Sequence, residues 1–593
     1  MFKFKLSYVA LAAALTSTCV FADPVSYTHR SGANVVDIEA PNAAGVSHNL
    51  YREFNVSDKG MVLNNSGVDV NHDKLGNIAK NNNLINGAAS VIINEVISNK
   101  SSALNGFIEV NGQKADVVIA NPNGISCSGC NFINTDKVTM TTGKVNLGND
   151  GSLKSYDVTG GNISVDAYGM FANDSLVLLM ADTIRLNGGV HAKNAVVSVG
   201  NFSYDDAAGT VTSHNKSATL IQTLIPEYSL DISNIGGIKA NNITMMGNNL
   251  GFGVRNKGSI ITNTSLAMSI NGNLINEGSI TNNGFVAQIA TAGELKNSGN
   301  ITTNNIAMIT ANGALNNSGN IVNNLQMGIS AGGSIENTGT IKSAKTLIVN
   351  TNGDLNTKSG SWLQAGEQLA ISTLGNVNNG GSTSAKYTTV NFGGSSLNVT
   401  GNLSGNSGLA ITSLQNGTVG TGAIYNNGSI SGGDLTIQTK AALKQHGNLV
   451  ADKSLSIKSG TVDNTYYISA PELNIVSNHT RNMATISGNN LDISSQQGIH
   501  NEGIFNASNN LTLSATNGSD ITNYNTLQAG GVMTLNARKV ENGGYKCGFM
   551  NFKTCNVGTI KTDKLILNSS HSYASNMGGN QQFKSAEINK ISN

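Results

Sequence analysis

A five-residue motif recurs through the middle of the chain at a nearly constant interval, and it constrains the fold more than any other feature. It begins with Asn, carries Gly at the third position and ends with Ile. The copies are NKGSI at 256–260, NEGSI at 276–280, NSGNI at 297–301 and 317–321, and NTGTI at 337–341. A fixed period of roughly 20 residues is typical of a solenoid, in which no unit can bury its apolar face alone.

Short runs of alternating side chains, such as 266–270 and 307–310, lie between the motifs and predict strands with one face inward. Weaker strand-like segments continue the pattern at nearly the same interval. They start at Leu435, Leu455, Leu473, Leu491, Leu511 and Met533. A leucine-rich repeat has a similar period, but its L-x-x-L-x-L frame and its helix are absent. We therefore predict an all-β protein, a right-handed parallel β-helix (solenoid) with coils of about 20 residues.

The abundant Asn suits such coils in two ways. It tolerates left-handed backbone in turns, and stacked Asn side chains can form hydrogen-bonded ladders between coils. If residues 23–593 formed one uninterrupted helix, the body would have roughly 28 coils and a length of about 130 Å at the spacing of neighbouring strands.

Composition narrows the class of protein. The chain has 68 Gly, 5 Pro and 1 Trp, and only 12% of its residues are charged. It carries 36 basic and 35 acidic residues, so no basic field is available to hold nucleic acid. We predict no cofactor, no metal site and no catalytic residues.

The N-terminus has the pattern of a secretory signal peptide. Lys3 and Lys5 precede an apolar run at 6–15 that is too short to span a membrane, and Val20-Phe21-Ala22 offers small residues for cleavage after Ala22. We expect residues 1–22 to be removed. The remaining chain then meets an oxidising compartment, where close cysteines tend to form disulfides.

Four cysteines remain after that cleavage, in two close pairs. Cys127 and Cys130 form a C-x-x-C, and Cys547 and Cys555 frame the segment CGFMNFKTC. A disulfide within each pair is our preferred interpretation. For Cys127 and Cys130, free or redox-active thiols and a zinc site stay open, although zinc needs two more ligands and no paired histidine motif lies nearby.

Several motifs in the first part of the chain together resemble one family. The segment has Gly45-Val46-Ser47-His48-Asn49, then NNNL at 81–84, NEV at 94–96, and NPNGI at 121–125 followed by the C-x-x-C. This order resembles the N-terminal secretion domain of two-partner secretion exoproteins: filamentous haemagglutinins, hemolysins and contact-dependent growth inhibition proteins. Asn82 replaces the proline of the family's first N-P-N-L motif. The C-x-x-C resembles the hemolysin and growth-inhibition branch.

The resemblance implies a division of the chain and a partner. We expect a secretion domain at 23–255, regular haemagglutinin-type repeats at 256–360, and degenerate repeats at 361–593 that include the Cys547–Cys555 loop. The expected partner is an outer-membrane two-partner secretion transporter. The residues expected to be recognised by it are Asn81, Asn83, Leu84, Asn121, Pro122, Asn123, Gly124 and Ile125.

Two functions fit this resemblance. The first is an exported adhesin at the Gram-negative cell surface or in the medium, which binds an unknown host or neighbouring-cell receptor. The second is a hemolysin or growth-inhibition toxin stalk that is truncated and lacks its effector. Val540-Glu541-Asn542 is followed by Gly543 rather than by the second Asn of a V-E-N-N toxin boundary.

Parallel β-helices also include glycan-cleaving hydrolases, which need two carboxylates in reach of one bond. Asn134-Thr135-Asp136 and Asp205-Asp206 resemble their carboxylates, but the accompanying G-H-G and R-I-K elements are absent. We therefore expect a non-enzymatic protein.

Overall fold

A computed structural model describes residues 23–214, 228–249, 253–547, 553–555, 557–571 and 578–591. The predicted signal peptide lies outside these residues. The described residues form strands and no helix, so no helix among them could cross a membrane. Most strands stack in parallel to form a β-solenoid of about 22 turns with about 21 residues each, which confirms the predicted parallel β-helix.

One coil illustrates the architecture. Leu274–Asn276, Ser279–Asn282 and Val286–Thr291 follow each other around the solenoid, and each pairs in parallel with the equivalent strand of the next coil. Repetition produces three parallel sheets. We call the sheet containing Ser279–Asn282 face A, the sheet containing Val286–Thr291 face B, and the sheet containing Leu274–Asn276 face C.

The strands confined to face A are Asn34–Asp37, Met61–Asn65, Phe107–Gly112, Cys130–Ile133, Ser279–Asn282, Asn300–Thr303, Asn320–Asn323, Thr340–Ser343, Trp362–Ala365, Tyr467–Ser469, Thr526–Ala529, Thr559–Lys561 and Asn580–Gln582. Those confined to face B are Val46–Tyr51, Val91–Val96, Asp116–Ala120, Lys137–Thr141, Val286–Thr291, Ile306–Ala311, Gln326–Ala331, Thr346–Thr351, Gln368–Thr373, Val532–Ala537, Lys564–Ser569 and Ser585–Lys590. Those confined to face C are Ser102–Leu104, Ile125–Cys127, Asn162–Val165, Thr183–Leu186, Tyr228–Ile232, Gly253–Asn256, Leu274–Asn276, Leu295–Asn297, Leu315–Asn317, Ile335–Asn337, Leu355–Thr357, Val377–Asn379, Ser396–Val399, Ala423–Asn426, Ala442–Gln445, Ile499–Asn501, Ile521–Asn523 and Val540–Asn542.

Longer strands continue around a corner from one face to the next. They are Met170–Ala181, Gly189–Val199, Gly237–Gly247, Ser259–Ile270, Ser382–Phe392, Asn402–Gln415, Ser429–Gln438, Asn448–Asn464, Glu472–Asn482, Thr485–Ser495 and Ile504–Ala515. Ten short strands pair only in antiparallel orientation: Ser26–Thr28, Val70–His72, Gly76–Ile78, Lys144–Leu147, Leu153–Val158, Phe202–Asp205, Thr210–Ser213, Thr418–Val419, Tyr545–Cys547 and Lys553–Cys555.

These antiparallel excursions explain why our expectation of roughly 28 coils was wrong. They use residues without lengthening the solenoid, so about 22 turns correspond to a body of about 105 Å. The six strand starts predicted from Leu435 to Met533 do lie in register on face B. The parallel pairing also continues across residues 255 and 360, and our division into domains stays a prediction.

Columns of inward side chains form the core. On face A, the final Ile of each five-residue motif is fully buried, from Ile260 to Ile341. On face C the matching column runs from Leu274 to Leu355. Burying a side chain of this size contributes about 1.5–3 kcal/mol, which the isolated coil would not obtain.

The first Asn of each motif forms a buried ladder at the end of face C. Asn256 donates through Nδ2 to Asn276 Oδ1, and the same bond continues to Asn297, Asn317 and Asn337 at 2.7–2.9 Å. A second run joins Asn464, Asn482, Asn501, Asn523 and Asn542 at 2.7–2.8 Å. The predicted Asn ladders are therefore present, and they satisfy amides that would otherwise be costly to bury.

The motif glycine is required by close stacking and not by a left-handed backbone. A Cβ on Gly319 would lie 2.1 Å from Gly299 O, and a Cβ on Gly339 would lie 2.1 Å from Gly319 O. None of these three glycines has positive φ. Our explanation of the repeat turns by left-handed Asn was therefore wrong for these motifs, since the motif Asn residues also have negative φ.

A four-stranded antiparallel sheet covers the outside of face B in the first part of the chain. It consists of Lys144–Leu147, Leu153–Val158, Phe202–Asp205 and Thr210–Ser213. Its Tyr156 and Phe202 are fully buried against outward residues of face B such as Ile93 and Val118. The covered part of face B is thus apolar on both sides, unlike the later coils.

Candidate functional site

The first of the two expected recognition motifs, 81–84, forms the corner between faces A and B. Asn81 is buried and donates through Nδ2 to Ile38 O and Asn64 O, at 2.9 and 3.0 Å. Its Oδ1 accepts the backbone N–H of Asn83 at 2.9 Å. Leu84 is 6% exposed and packs in the core. The side chains thus hold the turn to the preceding coil.

The second motif, 121–125, forms the corner between faces B and C. Asn121 is fully buried and donates to Lys100 O and Ser102 Oγ, both at 2.9 Å. Its Oδ1 accepts the backbone N–H of Asn123 at 3.0 Å, which repeats the arrangement at Asn81. The side chain of Asn123 donates to Ser98 O at 2.7 Å.

The eight expected recognition residues differ in their exposure to solvent. Asn81, Leu84, Asn121, Gly124 and Ile125 are buried, Asn83 is half-buried, and Pro122 and Asn123 are exposed. The two motifs also lie at different corners of the solenoid and contact different segments of the chain. Recognition by a transporter stays a prediction, and direct contact is available mainly to Pro122 and Asn123.

Positive φ in this region falls partly on residues that we did not expect. Gly124 at the corner has φ of 110°, whereas Asn123 does not have positive φ. Asn134, after the C-x-x-C, has φ of 58° and donates to Val110 O at 2.7 Å. Asn is the non-glycine residue best suited to this backbone region, which was the available sequence signal.

Cys127 and Cys130 form a disulfide in the structure. Both are fully buried between a strand of face C and the next strand of face A. Gly129 between them has φ of 76°, and its N–H donates to Gly169 O of the following coil. The bridge therefore closes a local turn. The side chains of Cys547 and Cys555 lie outside the described residues, although their backbones belong to one antiparallel hairpin.

Two exposed isoleucines beside these motifs were not predicted. Ile85 follows the first motif and is 90% exposed, and Ile97 is 48% exposed. Ile97 N–H donates to Tyr51 O, and the adjacent Ser98 is the partner of Asn123. An isoleucine within an Asn-rich turn was a usable signal for an exposed apolar contact.

A partly buried charged cluster lies where the antiparallel sheet meets face B. Lys137 Nζ lies 2.5 Å from Asp206 Oδ1, with both side chains less than a fifth exposed. Burial raises the pKa of the neighbouring Asp116 carboxyl, and Asp206 and Asp136 raise it further while Lys137 lowers it. Burial also raises the pKa of Tyr156 well above its usual value.

Two of the three carboxylates that resembled hydrolase residues are engaged in ion pairs, and Asp205 accepts the backbone N–H of Ala208. Asp136 pairs with Lys114 at 2.9 Å and Asp206 pairs with Lys137. Among the described residues no group of three or more His, Cys, Asp and Glu could hold a metal ion. His48 and His72 instead lie 2.7 and 3.0 Å from Glu95 and Glu109.

Comparison with known proteins identifies the N-terminal region. Residues 22–281 match the family model described as TPS secretion domain. The tRNA nuclease CdiA of Yersinia mollaretii is 42% identical over 226 residues, which are 38% of this chain and 7% of the relative. Toxin CdiA of Escherichia coli is 36% identical over 249 residues, which are 41% of this chain and 8% of the relative.

A solved structure gives a further similarity. The crystal structure of the filamentous hemagglutinin secretion domain is 26% identical, with a TM-score of 0.38, and the match covers 58% of this chain and 98% of that chain. The matched part of this chain spans less than a tenth of the length of the CdiA relatives above.

The β-solenoid and the family match define a class, the exported proteins that begin with a TPS secretion domain. More particularly, residues 22–281 match the TPS secretion domain that the motifs predicted, and this part of the chain is similar to two-partner secretion exoproteins. Exoproteins of this family pass through the periplasm to the cell surface or the medium of Gram-negative bacteria.

Proposed function

We propose that this chain is a non-enzymatic surface adhesin, exported by an outer-membrane two-partner secretion transporter. The observation that carries the proposal is the continuity of the solenoid from Asn34 to Lys590, without a second folded unit among the described residues. Such a body presents long faces to solvent. Its near-neutral charge favours specific contacts over general electrostatic attraction.

The alternative is the stalk of a toxin, since the relatives carry the names toxin and tRNA nuclease. Their matches are confined to about 40% of this chain. The segment that resembles a toxin boundary, Val540–Asn542, is a regular strand of face C. Asn542 accepts from Asn523 and donates to Gly578 O, both at 2.7 Å, so a structural role explains this Asn.

Export and adhesion are tested together in cells with and without the transporter. Periplasm, surface and medium are fractionated, and the surface fraction is applied to erythrocytes and epithelial cells. We expect transporter-dependent export and cell binding without release of haemoglobin. Lysis would favour the toxin alternative, and retention in the periplasm with the transporter present would contradict the proposed export route.

Recognition by the transporter is tested at the exposed part of the second motif. We expect Asn123→Ala to lower export several-fold, because it alters an exposed side chain that also holds the corner to Ser98. The matched control is Asn324→Ala, which removes an exposed amide bonded to Asn304 Oδ1 at 2.7 Å, far along the shaft. Equal export of both variants and the wild type would show that Asn123 is not recognised.

A further inference from the structure

A polar groove lies on the outside of face B in the C-terminal half of the solenoid. It has a volume of about 500 Å³ and crosses four consecutive coils. Its polar lining residues are Ser454, Ser456, Glu472, Asn474, Asn490, Asp492, Asn510 and Thr512. The volume is within the range of ligand-binding clefts.

One row of side chains in the groove has no hydrogen-bond partner among the residues that the structure describes. Ser456, Asn474, Asp492 and Thr512 are in register on successive strands, and we call them the open row. None of their side chains hydrogen-bonds to another described residue. The first three are exposed and Thr512 is half-buried. Their donors and acceptors therefore all remain available to a ligand.

The neighbouring row differs, because its side chains are bonded to each other along the solenoid. Asn490 donates to Glu472 Oε1 at 2.9 Å, and Asn510 donates to Asn490 Oδ1 at 3.3 Å. Ser454 donates to Asp434 Oδ1 at 2.7 Å. These bonds fix one wall of the groove, so the open row faces a pre-organised surface.

The solenoid does not require polar residues at the open row. The same column in earlier coils contains Met308, Gly328, Ile348 and Ala370, in register along face B. Outward amides in other columns cross-bond between coils, as Asn398 does with Asn378 and Asn378 with Asn356, both at 2.7 Å. Polar residues replace these mainly apolar ones from Thr436 to Thr534 of the same column, and the four middle residues of that run line the groove.

We propose that this groove binds an extended, uncharged oligosaccharide that lies along the solenoid axis. Sugar hydroxyls can donate to the carboxylates of Asp492 and Glu472, and Asn474 can both donate and accept. Val476 is 42% exposed beside the row and offers an apolar contact for the C–H face of a sugar ring. No Lys or Arg lines the groove, so its two carboxylates disfavour sulfated or carboxylated glycans.

The regular spacing of the coils adds a dependence on ligand length. Neighbouring side chains of the open row lie about 4.8 Å apart along the axis, so each added sugar reaches a further coil. Affinity is therefore expected to rise from a disaccharide to a hexasaccharide. This inference rests on the proposed adhesin function in one respect only, which is that the bound glycan belongs to another cell.

The test uses the purified full chain and isothermal titration calorimetry. The probes are chitohexaose and cellohexaose as neutral chains, their disaccharides, and a heparin hexasaccharide as the anionic chain. We expect the neutral hexasaccharides to bind and Asn474→Ala/Asp492→Ala to weaken binding about tenfold or more, from the loss of two sets of ligand hydrogen bonds. The matched control is Gln288→Ala/Thr389→Ala, two exposed polar residues of the same column outside the groove, which should bind like wild type.

Thermal unfolding first establishes that both double variants fold as the wild type does. Asp492→Asn, which keeps the shape of the side chain, supplies a second variant and should weaken binding less than the double change. Each of three results would overturn the proposal. They are a preference for the heparin hexasaccharide, no binding of any neutral hexasaccharide, and wild-type affinity of Asn474→Ala/Asp492→Ala.

Cell binding separates this proposal from the adhesin function. If the chain binds cells but none of the neutral hexasaccharides, the groove assignment fails and the adhesin function stands. If neutral hexasaccharides bind in the groove but the exported chain binds no cells, the adhesin function fails and the groove assignment stands.

Discussion

The buried Asn ladder gives the sharpest prediction for stability. Asn297 accepts from Asn276 Nδ2 at 2.7 Å and donates to Asn317 Oδ1 at 2.8 Å, and it is 1% exposed. In Asn297→Ala, Asn276 Nδ2 loses the acceptor Asn297 Oδ1, and Asn317 Oδ1 loses the donor Asn297 Nδ2. Both groups stay inside the solenoid. Each buried polar group that loses its partner costs about 1–3 kcal/mol, so we expect a loss of about 2–6 kcal/mol.

The chain contains a matched control for this change. Asn320 also donates to an Asn of the previous coil, Asn300 Oδ1 at 2.9 Å, but it is exposed to water. Because water replaces the lost bond, Asn320→Ala should change stability by no more than about 0.5 kcal/mol. The two variants differ in burial and not in the chemistry of the substitution.

Hydrogen exchange measured by mass spectrometry reports the local effect, which suits a repeat protein whose coils open separately. A loss of about 3 kcal/mol corresponds to roughly hundredfold faster exchange, expected in peptides that cover 290–325. If Asn297→Ala exchanged no faster than Asn320→Ala, the ladder would not stabilise the stacked coils, and our account of the repeat would be refuted.

Three further predictions concern other parts of the structure. Gly319→Ala should destabilise the repeat by about 1–3 kcal/mol in urea unfolding, because the added Cβ would meet Gly299 O. Gly328→Ala, whose Cβ would have open space around it, should be neutral or slightly stabilising. Equal effects of the two variants would contradict the close-stacking argument. Asp116→Asn should raise the free energy of unfolding at pH 7 and change it little at pH 3. The raised pKa of Asp116 makes its ionisation costly in the folded state, and this cost arises only above the pKa of the unfolded chain, near 4. An equal gain at both pH values would exclude titration of Asp116 as the cause. Cys127→Ser/Cys130→Ser should cost about 2 kcal/mol from loop entropy and speed exchange around 125–133, and unchanged exchange there would show that the bridge does not brace the turn.

The repeating part of the protein could be predicted from the sequence alone. The constant period, the alternation of side chains and the recurring Asn predicted a parallel β-helix, strands with one face inward and an Asn ladder, since each depends on a local pattern repeated in register. The order of motifs from Gly45 to Cys130 was likewise enough to identify the secretion domain.

Which of those residues are exposed depends on the folded structure and could not be predicted from the motifs. Asn121 and Asn123 are two positions apart in one motif, yet Asn121 is buried against the preceding coil and Asn123 faces solvent. The antiparallel sheet on face B, the close approach at Gly319 and the groove across four coils also depend on contacts between distant segments. Sequence periodicity specifies which side of a strand points inward, but contacts with other coils determine what each outward side chain meets.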